Sequence, residues 1–194
     1  MKLLKIFSIA CVATMISCSA GKTNRVAIDT DEPFSDVETS SKDLDTVAQK
    51  MTASLLQLHQ ISNAKTPVRI AFADVKNETN EIINKNLFIE KMRTLLLKNA
   101  QGRMVFLDRE ISADIMKERE DKRAGQVSST SSKMRSGADF FLTGKLASID
   151  KVSGKQRSNY TRYSFRLTDA ESTDILWEDD YEVKKVGESG LYDR

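Results

Sequence analysis

Tyr160-Thr-Arg-Tyr-Ser-Phe-Arg-Leu-Thr168 sets Tyr163, Phe165 and Leu167 against Arg162, Ser164 and Arg166. Successive side chains leave a β-strand on opposite sides, so strict alternation marks a strand with one face in a core and the other in water. Residues 175–183 repeat the pattern, with Ile175, Trp177, Tyr181 and Val183 against Glu178, Asp180 and Glu182. On the other flank, residues 140–149 form an apolar run closed by a turn at 152–155 that contains Gly154. Two tight connections between three long strands predict an antiparallel meander. Arginines on one strand facing carboxylates on the next predict a charge ladder on its solvated side.

Further upstream the period changes. From Asp43, Leu44, Val47, Ala48, Met51, Leu55 and Leu58 recur on one helical face, with Ser40, Ser41 or Asp43 available to cap the start. Residues 68–75 are apolar and follow Pro67, which cannot continue a helix, so they read as a buried strand. Asn77-Glu78-Thr79-Asn80 is turn chemistry, and a second helix follows with Leu87, Phe88, Met92, Leu95 and Leu96 inward, ending near 99–102. Residues 104–107 read as a short strand, and Asp108 as the N-cap of a charged helix with Ile111, Ile115 and Met116 inward. Residues 123–133 read as a Gly, Ser, Thr and Lys-rich loop leading into a helical turn near Met134. The expected class is α+β: a mainly antiparallel four-stranded sheet flanked by helices, with a C-terminal strand meander.

The N-terminus has its own logic. Lys2 and Lys5 precede an uncharged apolar run over 6–16, too short to span a bilayer but suited to a secretory signal. The run ends in Met15-Ile16-Ser17-Cys18, which resembles the lipobox of bacterial lipoproteins, where small residues precede the cysteine that receives lipid. The expected division is a lipoprotein signal peptide over 1–17, a lipidated N-terminus and flexible linker over 18–42, and a globular α+β domain over 43–194. The alternatives are an ordinary secretory signal or a buried N-terminal helix, and an arm at 19–42 that packs on the domain. Cys11 would leave with the signal, so Cys18 is the one mature cysteine and no internal disulfide forms. Fully extended, the linker reaches at most about 80 Å.

Charge narrows the function classes. Removing Lys2 and Lys5 from the 30 cationic side chains leaves 28, against 28 acidic ones, so the mature chain is near neutral and lacks a nucleic-acid footprint. His59 is the sole histidine, with no partner spaced for catalysis or metal binding. Neither a Gly-x-Ser-x-Gly elbow nor a phosphate-binding glycine loop occurs. Pairs such as Asp179–Asp180 read as solvated charge, and the Asn77-Glu78-Thr79 glycosylation sequon carries little meaning in a bacterial lipoprotein. The strand aromatics read as core rather than as a base-stacking platform. No catalytic residue, cofactor or metal is expected, and an enzyme is the minor reading.

Two stretches carry a family resemblance. Phe72-Ala-Asp-Val-Lys-Asn-Glu-Thr-Asn80 after a strand and Gly137-Ala-Asp-Phe-Phe-Leu-Thr-Gly144 resemble the LpoB family of outer-membrane lipoproteins, with Leu107-Asp108-Arg109 and Leu176-Trp177-Glu178 at the corresponding places. The likeness covers roughly residues 66–184. Where the family commonly has Thr-Gly in the last hairpin turn, this chain reads Glu171-Ser172-Thr173-Asp174.

The resemblance implies a non-enzymatic activator of a class A penicillin-binding protein, a peptidoglycan synthase, which it would reach from the outer membrane on the periplasmic side and touch at a small regulatory domain. Under enterobacterial sorting, Ser19 after the cysteine favours the outer membrane. The expected partners are that synthase and, through lipid on Cys18, the membrane; no nucleic acid is expected, and the domain is expected to be monomeric. The expected partner-binding residues are Asn77, Glu78, Asn80 and Glu81 in the loop and Arg162 and Arg166 on the strand face. The competing reading of the loop is that it caps the next helix through Asn80 or Asn84. The competing functions are a structural or secretion-channel lipoprotein of the curli-secretion type and an envelope hydrolase.

Overall fold

The computed structural model describes residues 23, 25–31, 37–126 and 137–188. The signal segment, Cys18, much of the linker, residues 127–133 of the loop, the turn near Met134 and the last six residues lie outside the described residues.

The domain opens with α1 (Ser41–Leu56), begun by a capping box: the Ser40 hydroxyl accepts from the Asp43 amide while the Asp43 carboxylate takes the Ser40 amide. The helix therefore starts within the stretch read as linker, at Ser41. A short α2 (His59–Ser62) leads to β1 (Val68–Glu78), α3 (Lys85–Asn99), β2 (Met104–Phe106) and α4 (Ser112–Arg123). The chain ends in three long strands, β3 (Phe140–Ser153), β4 (Gln156–Asp169) and β5 (Ile175–Glu188).

The α+β class and the C-terminal meander are as expected: β3, β4 and β5 pair antiparallel along nearly their whole length. The expected sheet is corrected in two respects. It has five strands rather than four, in the order β2-β1-β3-β4-β5, and it is mixed, because β1 runs parallel to both neighbours. The reason lies in the connections. A tight turn reverses the chain, whereas a helix between two strands returns it to the end it started from, which makes the next strand parallel. Here α3 joins β1 to β2, and α4 lies on the path from β2 to β3.

Packing is one-sided. Val47, Met51 and Leu55 of α1 and Phe88, Met92 and Leu96 of α3 bury against Leu142, Leu146, Tyr163, Phe165 and Leu167 of the sheet. Trp177 is tied to α1 by a hydrogen bond from its ring nitrogen to Ser54 (3.0 Å). The opposite face of the sheet carries Thr143, Lys145, Ala147, Arg162, Ser164, Arg166, Glu178, Asp180 and Glu182, the outward set of the alternation. Five apolar assignments fail. Leu87 and Ile175 are exposed, as are Ile111 just before α4 and Ile115 and Met116 within it, a helix that buries no residue at all. With only two large apolar residues among its twelve, α4 has no stripe wide enough to hold it to a sheet. Asp108 does not cap that helix directly; its carboxylate accepts from the Glu110 and Ile111 amides and closes the turn before it.

Both hairpin turns are explained locally. Gly154 sits at φ +60° in the two-residue turn between β3 and β4, the left-handed region such turns demand. In the last turn Asp169 accepts from the Glu171 and Ser172 amides at 2.8 and 2.9 Å, which holds its carboxyl below the usual carboxylate range. The left-handed position there falls on Thr173, at φ +64°. A β-branched residue is strained at that angle, by roughly 1 kcal/mol or more relative to glycine. Thr173→Gly is therefore expected to raise stability by about 1 kcal/mol, read as a higher urea midpoint at unchanged slope; an unchanged or lower midpoint would contradict the strain.

Candidate functional site

The site is the outer sheet face, and a bulge decides its membership. In β1 the pairing with β3 shifts between Phe72 and Val75, where one extra residue enters. Ile70 and Phe72 face the core before the bulge, and Val75 faces it after, so the parity of the strand reverses. Lys76 and Glu78 are thereby turned to the outer face, level with Lys145 and Ala147 of β3. At the bulge itself Asp74 meets Lys85 at 2.7 Å, an ion pair and hydrogen bond that lowers the Asp74 pKa.

Across the sheet, Glu78, Ala147, Arg162 and Glu182 then form one row, and Lys76, Lys145, Ser164 and Asp180 the next. Lys145 bridges to Glu78 (2.5 Å), Arg162 pairs with Asp180 and lies 3.8 Å from Glu182, and Arg166 bonds Glu178 at 3.1 Å. The Tyr160 phenol donates to Glu182 at 2.7 Å, and that bond to a carboxylate raises its pKa. The charge ladder expected from the alternation of β4 and β5 is present. Each pair is half exposed, so solvent screens it and it adds little to folding. What the ladder does is set two guanidinium groups on one face, each against carboxylates of β5. Small side chains, among them Ala73, Thr143 and Ala147, leave a groove of about 710 Å³ beneath Lys76, Arg162 and Arg166.

The 77–81 loop divides. Glu78 belongs to the face just described. Asn77 falls on the other parity, where its side-chain carbonyl accepts from the Thr79 amide (3.1 Å) and its side-chain amide donates to the Glu81 carbonyl (2.9 Å), closing the turn. Asn80 donates to Asp150 in the β3–β4 hairpin at 2.5 Å. Glu81 is a strut: one carboxylate oxygen takes the Thr39 amide (2.8 Å) and the other takes Asn159 (3.2 Å). Asn84, one of the two expected candidates, is the N-cap of α3 and accepts from the Leu87 amide. The structure therefore gathers Glu78, Arg162 and Arg166 on one surface and places Asn77, Asn80 and Glu81 in a network at the hairpin end. Lys76 and Lys145 join that face without having been expected there. The Thr143, Lys145, Ala147 alternation could have flagged Lys145, whereas Lys76 depends on the bulge.

The same network reaches the core. Thr39 shares a 2.9 Å hydrogen bond with the Tyr163 hydroxyl, and burial pushes that phenol well above its ordinary value near 10. Folding thus favours the protonated phenol. Its contribution is complete below pH 10 and is lost as pH rises through the folded value. Tyr163→Phe is expected to flatten the alkaline fall in stability above pH 10; a urea-midpoint profile matching the wild type there would reject this.

A family model described as peptidoglycan-synthase activator LpoB matches residues 43–183. Among solved structures, the LpoB C-terminal domain from Salmonella enterica aligns at 14% identity over 73% of this chain and 98% of that one, with a TM-score of 0.45. The corresponding domain from Escherichia coli aligns at 15% identity over 73% and 98%, with a TM-score of 0.44. The NMR structure of E. coli LpoB aligns at 14% identity over 97% of this chain and 91% of that one, with a TM-score of 0.42. No curated protein sequence matches.

Proposed function

The chain belongs to the LpoB family of peptidoglycan-synthase activators, and on that footing we propose that it is an outer-membrane lipoprotein that binds and stimulates a class A penicillin-binding protein. The family is regulatory rather than enzymatic. The observation that carries the reading is the outer sheet face, where Arg162 and Arg166 pair with acids of β5 beside a shallow groove. Two guanidinium groups on one face suit bidentate contact with carboxylates of a partner. An activator must also bind the active form of its synthase more tightly than the resting form, since equal affinity would shift nothing. The family match does not favour the secretion-channel alternative.

The test is glycan-strand synthesis by a cognate class A synthase at saturating protein. A clear rise in rate is expected, and an unchanged rate with binding demonstrated would reject the activator role. Lipid on Cys18 would confine the domain near its partner. Cys18→Ala is accordingly expected to leave stimulation in vitro intact and to abolish function in cells. Full function of that variant in cells would show that the anchor is dispensable.

A further inference from the structure

We propose that β5 pairs antiparallel with β5 of a second copy of this chain, joining two domains into one continuous sheet about a two-fold axis. The sheet has unequal edges. β2, at one end of the strand order, is 3 residues long, whereas β5, at the other, runs for 14 without a proline. Among the described residues only β4 pairs with β5. Alternate residues of an antiparallel strand turn their N–H and C=O groups away from the neighbour they pair with. β5 therefore offers a long row of donors and acceptors with no strand beside them.

The charges of β5 choose the occupant. On the outer face Asp180 and Glu182 share the guanidinium of Arg162, which leaves one carboxylate in excess. Two residues on, Lys184 is exposed on the same face and makes no ion pair among the described residues. A surplus acid followed by an unpaired base complements its own copy when the two strands run in opposite directions. A two-fold axis through the sheet keeps both outer faces on one side, so even-numbered residues meet even-numbered ones.

Register then decides. Centred on Glu182 or Lys184, the strand sets that charge against itself, and centred on Tyr181 it sets Asp180 against Glu182. Centred on Val183, it brings Glu182 opposite Lys184 on both sides of the axis, while Val183 meets its copy on the core side. Asp180 then lies opposite Val186, and Asp179 opposite Gly187. Lys185, opposite Tyr181, keeps its own pair with Asp43. The one like-charged pair, Glu178 against Glu188, falls at the far ends, where Arg166 already holds Glu178. Charged edges ordinarily keep strands apart. Here both signs sit on one strand, so they reject the neighbouring registers and favour this one. A second copy is favoured over a foreign strand because the pattern complements itself. The domain expected to be monomeric is then half of a symmetric pair, with Arg162 and Arg166 of both copies on one face.

Sedimentation and cysteine cross-linking of the full mature chain test this, with Cys18→Ala removing the lipid and the competing thiol. A concentration-dependent dimer is expected. Val183→Cys should give a covalent dimer under mild oxidation, because a residue on the axis lies about 5 Å from its copy. Tyr181→Cys should not link to itself, since this register holds the two residues about 13 Å apart. Lys184→Glu should raise the dimer dissociation constant about tenfold or more, and Glu182→Lys added to it should restore pairing by exchanging the charges. Circular dichroism checks that each variant is folded. A monomer at every concentration, equal cross-linking of the Tyr181 and Val183 variants, a dimer untouched by Lys184→Glu, or no recovery on charge exchange would each overturn the proposal.

Discussion

Gly144→Val is expected to lower stability by about 3 kcal/mol or more, seen as a large fall in the urea midpoint. Gly144 lies on the core face of β3, directly opposite Phe165 of β4. A Cβ built there would come within 2.5 Å of Phe165 Cε1 and 2.8 Å of its Cδ1, and within 3.2 Å of Val75 Cγ2. The phenylalanine cannot simply swing away, because it is buried and its ring packs on Phe88 with centroids 5.2 Å apart. Overpacking by one methyl costs roughly 1–3 kcal/mol, and valine adds two more carbons. Gly144→Ala should therefore cost less, and Phe165→Leu should relieve part of that cost when combined with it. Additive effects of the two substitutions would mean that the contact is not the cause. The last residue of the Gly137–Gly144 motif is thus glycine for a steric reason: a neighbouring strand's aromatic ring occupies the space of its side chain.

Arg162→Glu together with Arg166→Glu is expected to abolish synthase stimulation while leaving the domain folded. Each arginine is half exposed on the face away from the core, so the reversal leaves the packing untouched and solvent screens the new repulsion from Glu178, Asp180 and Glu182. At an interface the same reversal is far more costly. Placing carboxylates where a partner presents acids replaces attraction with repulsion, and loss of a desolvated charge pair costs about 2–5 kcal/mol, or some 30-fold to several thousand-fold in affinity. Binding and glycan synthesis should both fail, with the circular dichroism spectrum unchanged. Stimulation at wild-type level by the folded variant would move the docking surface off this face. Glu78→Lys, on the same surface, should weaken binding more than Asn77→Ala, whose side chain closes the loop instead.

The elements legible in the sequence are those built from short-range pattern. β4 and the part of β5 from Trp177 on alternate so regularly that their pairing, their core-side faces and the Arg–carboxylate ladder follow from their own residues; Ile175, expected on the core side, is exposed because the register shifts beside it. The α1 face is legible for the same reason, since Val47, Ala48, Met51 and Leu55 repeat at helical spacing and all are buried. α4 misleads because two apolar residues at the right spacing imitate an amphipathic helix, while burial depends on whether a surface lies opposite.

What the sequence by itself determined is the meander, the helical core face and the family motifs. What only the tertiary structure decided is which charged residues share a surface. The extra residue between Phe72 and Val75 reverses the parity of β1, bringing Lys76 and Glu78 beside Lys145 and Arg162 and turning Asn77 away. Side-chain direction in a strand has a period of two, so a single inserted residue exchanges the two faces, and no local propensity marks where that insertion falls. The same holds for β1's parallel neighbours and for the gathering of Thr39, Glu81, Asp150 and Asn159 at one end, which are contacts between residues far apart in the chain. Patterns within a strand are written in its own residues; the register between strands is fixed only when they pack.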